Sequence, residues 1–133
     1  MGSPTSRTID WFKARGHYAG VVERWIPQAR KRIDLLGFID IVAVTDRLIG
    51  IQATAFPALN QRVKKICEDR CDEAKAWLDA GGLIEIWTWT KLQRMRTLSN
   101  GRQVKLPTWV PRVTKVDYEV LSTHEYDWSE VEV

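Results

Sequence analysis

Polar and apolar positions alternate along most of this chain with two different periods, and the switches between them mark the expected elements. Residues 5–16, TSRTIDWFKARG, carry Ile9, Phe12 and Trp11 at helical spacing. Thr5 or Ser6 serves as the expected cap and Gly16 as the stop. Tyr18 to Trp25 reads as a strand closed by Pro27, with Val22 and Arg24 on one side and Val21, Glu23 and Trp25 on the other. One or two strands follow over 33–45, pivoting near Gly37, and another over 48–55. The period then becomes helical over 60–80, NQRVKKICEDRCDEAKAWLDA. Val63, Ile66, Cys67, Cys71, Ala74, Trp77 and Leu78 share one face, Asn60 is the expected N-cap and Gly81-Gly82 the stop. Leu83 to Thr90 alternates again as a strand, Ser99-Asn100-Gly101 predicts a hairpin turn, and Val113 to Leu121 is a last strand candidate. The final residues are expected to fray.

A helix between the strands at 48–55 and 83–90 favours a parallel crossover. The expected class is therefore α/β, a central mixed β-sheet flanked by helices, with a basic C-terminal β-hairpin. At 133 residues, 44% hydrophobic and 28% charged, the chain is expected to form one domain over 1–133 with its own core. That domain divides into a core of about 5–90, a basic hairpin and last strand over 91–121, and an acidic tail over 122–133. No apolar run approaches a membrane span, and the first residues lack the apolar centre of a signal peptide, so a cytoplasmic protein is the expectation. Cys67 and Cys71 lie four apart on a helix face with only His17 and His124 elsewhere as soft ligands, which favours packing over zinc.

Charge is distributed unevenly. Residues 86–116 hold seven basic side chains, among them Arg94, Arg96 and Arg102, and no acid, whereas 117–133 hold six acids and no Lys or Arg. A second cluster, RWIPQARKR, contains Arg24, Arg30, Lys31 and Arg32. A solvated basic face and a phosphate-binding surface both fit this pattern. The seven tryptophans divide similarly: Trp87 and Trp89 share a strand face, and Trp25 and Trp109 sit beside basic residues. Core packing and stacking on bases are both open to them.

One position resists the apolar pattern. Asp40 lies inside the run Phe38 to Val44, and Gln52 and Thr54 project from one face of the next strand. A buried carboxylate needs a partner. A basic side chain, water at the strand end, or a cation would serve. If the two strands pair as a hairpin, Asp40 approaches Gln52, and two oxygen donors suit a hard ion such as Mg²⁺.

Four phrases occur in order here: VVERW at 21–25, DLLGFID at 34–40, QAT at 52–54 and RVKKI at 62–66. Together they resemble the PD-(D/E)xK nuclease superfamily, and more narrowly the small Holliday-junction-resolvase-like nucleases of bacteriophages. Gly37 to Ile41 also resembles the active-site entry of virus-type replication-repair nuclease domains. The resemblance covers roughly residues 5–90. It implies a restriction-endonuclease-like fold and a Mg²⁺- or Mn²⁺-dependent DNA endonuclease, structure-selective for branched DNA and acting as a homodimer. It implies Asp40 as the metal-binding Asp, Gln52 at the position of the second acid, the Ala53 carbonyl as a further ligand and Glu23 as an upstream carboxylate. The pattern's lysine position holds Thr54. The resemblance leaves two outcomes for that departure: the basic group has moved to the following helix, to Lys65 with Arg62 or Lys64 beside it, or hydrolysis is lost and a DNA-binding module remains. Asp34 contributes only if the chain bends at Gly37, because six residues of straight strand span about 20 Å. Arg30, Lys31, Arg32, Arg62, Lys64, Arg94, Arg96 and Arg102 are the expected DNA contacts. A protein-binding scaffold built on the tryptophan-rich strands is the third class.

Overall fold

In the computed structural model, which describes residues 2–133, helix α1 spans Pro4–Ala14 and is capped by Ser3 rather than by Thr5 or Ser6. Ser3 and Ser6 cap one another: the Ser6 N–H donates to Ser3 Oγ at 3.1 Å and the Ser3 N–H to Ser6 Oγ at 3.2 Å. Pro4 then stands at the first helical position, where its missing N–H costs nothing. The expected strand 18–25 is two strands, β1 (Tyr18–Val21) and β2 (Arg24–Ile26), in different sheets. The break falls where Val22 donates its N–H to the Asp40 carbonyl and packs against the helix-side core.

The main sheet has six strands in the order β1-β4-β5-β6-β7-β8. Here β4 is Ile41–Val44, β5 Leu48–Ala55, β6 Leu83–Thr97, β7 Gln103–Lys115 and β8 Ser129–Glu130. Only β5 and β6 pair in parallel, joined by the helical crossover, so the sheet is mixed and the class α/β. Strand β2 pairs with β3 (Lys31–Ile33) in a separate two-stranded hairpin. Each face of the main sheet is covered. Ile84 and Ile86 pack under Leu59, Val63, Ile66, Cys67 and Ala74 on one side. On the other, Ile41, Ala43, Ile49 and Ile51 meet Phe12 of α1 together with Trp87 and Trp89. Both of these tryptophans are buried core residues, with indole N–H groups donating to Glu85 and Thr8. Cys67 is buried and Cys71 half-buried, both free.

The helix expected over 60–80 is interrupted. A 3₁₀ turn at Phe56–Ala58 leads into α2 (Leu59–Lys64), a π-helical turn covers Lys65–Asp69, and α3 runs Cys71–Asp79. Asn60 lies inside α2 rather than capping it. Arg70 explains the interruption. In a continuous helix it would fall four residues after Ile66, three after Cys67 and four before Ala74, in the middle of the apolar face. One extra residue in the turn swings it about 100° out of the core.

The C-terminal part also departs from expectation. Strand β6 runs unbroken past residue 90, so the hairpin closed at Ser99–Gly101 is continuous with the central sheet. The strand expected over 113–121 is the end of β7 and stops at Lys115, because Asp117 caps a helix, α4 (Tyr118–Thr123), by accepting from the Val120 N–H at 3.0 Å. The acidic tail is tied down: β8 pairs with β7, and the Glu132 carbonyl accepts from Trp11 Nε1 and Arg15, both at 2.8 Å. Arg112 lies against the rings of Phe56 and Trp128, adding a further tether. Among the described residues, no helix is long and apolar enough to cross a membrane.

Candidate metal centre

The hairpin of β4 and β5 sets Ile41 opposite Ile51, so its continuation sets Asp40 opposite Gln52 on the helix-covered face. Asp40 is then held from two directions. Gln52 Nε2 donates to its Oδ1 at 2.9 Å and the Ala53 N–H to its Oδ2 at 3.1 Å. The N–H and C=O of one strand residue point to the same edge, so the Ala53 carbonyl also faces this side.

Asp34 arrives by a bend. Leu36 and Gly37 both have positive φ, 54° and 81°, and Leu35 bridges back to Ile39 through two hydrogen bonds of 2.9 Å. The strand path between Asp34 and Asp40 thereby folds on itself, and Gly37 adopts the left-handed conformation at no steric cost. Asp34 Oδ2 accepts from Gln52 Nε2 and from Lys65 Nζ, each at 3.3 Å. Glu23 enters from the break between β1 and β2 and pairs with Arg32 at 3.0 Å. One carboxylate oxygen from each of Glu23, Asp34 and Asp40 lies within 4.8 Å of the others.

Crowding of acids perturbs their ionisation. Burial, then the hydrogen bond and negative charge of Asp34, push Asp40 from 3.8 up to about 7. For Asp34 burial works the other way but is outweighed: the hydrogen bond from Asp40, the Lys65 charge and the Gln52 amide hold it below the usual carboxylate range. The pair thus shares one proton near neutrality.

A divalent cation fits this donor set. Three carboxylates and an inward carbonyl are hard oxygen ligands. Gln52 supplies an independent sign: its side chain is 1% exposed, its amide nitrogen serves two carboxylates, and its Oε1 is buried without a hydrogen-bond partner. Were the Gln52 amide turned over, that oxygen would face the acids and could hold a cation, an orientation that its neighbours decide.

Other predicted residues are placed as follows. Thr54 shares the face of Gln52, but its hydroxyl makes no hydrogen bond among the described residues. Lys65 reaches the acids from the π-helical turn, whereas Arg62 and Lys64 on α2 form no ion pair among the described residues. Lys31 and Arg32 lie on β3 beside the acids, and Arg30 precedes them with φ 49°. Arg94, Arg96 and Arg102 sit far along the β6–β7 hairpin, with Arg94 paired to Glu130 at 2.7 Å. Arg70 was not singled out from sequence. It shares with Lys31, Arg32, Asp34 and Lys65 the lining of a cleft of about 340 Å³ beside the acids, and its guanidinium packs over Gly37. A charged residue at the centre of an otherwise apolar helix face was the available signal.

No protein-family model matches the chain, and neither the curated proteins nor the solved structures provide a match.

Proposed function

We propose that this chain is a Mg²⁺- or Mn²⁺-dependent DNA endonuclease of the PD-(D/E)xK type, with a restriction-endonuclease-like core and a structure-selective, resolvase-like action on branched DNA as a homodimer. The observation that carries this is the convergence of Glu23, Asp34 and Asp40 with the buried, half-satisfied Gln52 and with Lys65. When bound, a divalent ion supplies Lewis acidity to a phosphate and eases the ionisation of water. Glu23, Asp34, Asp40, Gln52 Oε1 and the Ala53 carbonyl would hold it. Lys65 takes the part of the lysine missing at Thr54, its ammonium orienting the attacking water or a phosphate oxygen at the edge of the acids. Lys31, Arg32 and Arg70 in the adjoining cleft hold the nucleic-acid backbone.

Incubation with branched, continuous-duplex and single-stranded DNA in Mg²⁺ or Mn²⁺ tests the proposal. Wild type cuts and Asp40→Ala does not; absence of cutting by wild type, or equal cutting by both, removes it. A second reading has its own support. Glu23 is paired with Arg32 and Asp34 with Lys65, so the chain's own cations already balance much of the acid cluster. A DNA-binding module without hydrolysis follows if wild type binds DNA in a salt-dependent manner but never cleaves it.

A further inference from the structure

Of the seven tryptophans, six have a defined partner. Trp11, Trp77, Trp87 and Trp89 donate their indole N–H groups within the protein. Trp109 is covered by Arg7 and Trp128 by Arg112 and Phe56. Trp25 alone, among the described residues, has neither a ring or cation contact nor an N–H partner, and it is 52% exposed. It stands on β2, in the small hairpin outside the main sheet.

The position of that hairpin gives the exposure a meaning. Trp25 lies directly opposite Arg32, so the two side chains share one face of the ribbon. Arg32 is the residue that reaches Glu23 at 3.0 Å. Trp25 itself is two residues from Glu23, about 7 Å along an extended chain. The indole is thus next to the acid cluster, on a ribbon that also carries Arg24, Arg30 and Lys31. Arg32 shares the face of the indole, while Arg24 and Lys31 alternate to the other side of this narrow ribbon. A flat, unpaired aromatic surface on a basic ribbon matches a nucleic acid, whose bases stack on the ring while its phosphates meet the charges.

We infer that Trp25 is a stacking platform for a base that has left its own stack beside the cleavage position, which makes DNA containing unpaired bases the preferred substrate over continuous duplex. In an unbroken duplex both faces of every base are covered by neighbours, so the indole finds a free face only at a bulge, branch or single-stranded stretch. The inference rests on the proposed nuclease site for the word substrate, but the stacking contact is a binding property that is measured without cleavage.

The experiment compares wild type, Trp25→Ala and Trp25→Phe in EDTA, binding a continuous duplex and the same duplex carrying a short unpaired bulge. Wild type prefers the bulged DNA. Trp25→Ala weakens bulged binding by about 5- to 150-fold, the range for losing one stacked base, and leaves continuous-duplex binding unchanged, while Trp25→Phe keeps most of the preference. Equal losses on both DNAs, no loss on either, or no preference in wild type each overturn the inference. Trp25 is exposed, so thermal melts of the variants should overlay that of wild type. Cleavage by wild type in Mg²⁺ and its loss in Asp40→Ala are scored separately, so the nuclease proposal stands or falls on its own.

Discussion

Replacing Asp40 by Asn separates the electrostatic cost of the acid cluster from its geometry. Asn has the shape of Asp and can still accept from the Ala53 N–H; its NH2 then replaces the oxygen that faces Gln52 Nε2, and donates to Gln52 Oε1 once the Gln52 amide turns over. Asn carries no charge. In wild type the Asp40 carboxyl is raised from 3.8 to about 7 by burial and by Asp34, so between those values the folded chain holds a proton that the unfolded chain has released. Stability must therefore fall as pH rises through this window, by on the order of 4 kcal/mol at about 1.4 kcal/mol per unit. Asp34, held low, acts in a different window: its contribution is present above the ordinary carboxylate value and is lost as pH falls through its depressed one. The assay is urea unfolding in EDTA at steps from about pH 4 to about pH 8, for wild type and Asp40→Asn. The two should be close in stability at the acid end, and the variant should exceed wild type by several kcal/mol at the alkaline end. Adding Mg²⁺ at the alkaline end should narrow or reverse the gap, because binding to the folded form stabilises wild type. Parallel pH profiles for the two proteins in EDTA would refute the reasoning.

Two further perturbations address the supports of the cluster. Lys65→Met removes the ammonium bonded to Asp34; cleavage of branched DNA in Mg²⁺ should slow by about 10²- to 10⁴-fold, the usual worth of a positioned acid–base group, and a rate within a few-fold of wild type would remove Lys65 from the proposed chemistry. Gly37→Ala places a Cβ at φ 81°, and also against the Arg70 guanidinium; urea unfolding should show a loss of about 1–2 kcal/mol, and an unchanged midpoint would mean that the bend tolerates side chains.

The pairing of Asp40 with Gln52 was legible because period-two alternation fixes which side chains share a face, and a tight β4–β5 connection fixes what lies opposite. The place of Asp34 was legible only conditionally. Its contribution depends on two consecutive positive φ values, at Leu36 and Gly37, and a leucine gives no warning of such a conformation. The break after Val21 was hidden for a similar reason: VVERW alternates well enough to be one strand, and only the main-chain bond from Val22 to Asp40 divides it. The end of the chain misled through composition. Six acids suggest a solvated tail, whereas its anchoring depends on main-chain pairing with β7 and on the aromatic contacts of Trp128, which charge counting does not see. Arg70 carried its signal in plain view, but an apolar phase that continues on both sides of it masks an extra residue.

That wider turn has a consequence for what helix length the chain accepts. In an uninterrupted helix an arginine at position 70 is a charge forced into the apolar layer; with the π-helical turn, position 70 lies against Gly37 at the cleft. Shortening the turn by one residue would return a guanidinium to the core and rotate everything after it relative to Lys65. The irregular turn thus sets the phase that holds Lys65 and Arg70 at the same cleft.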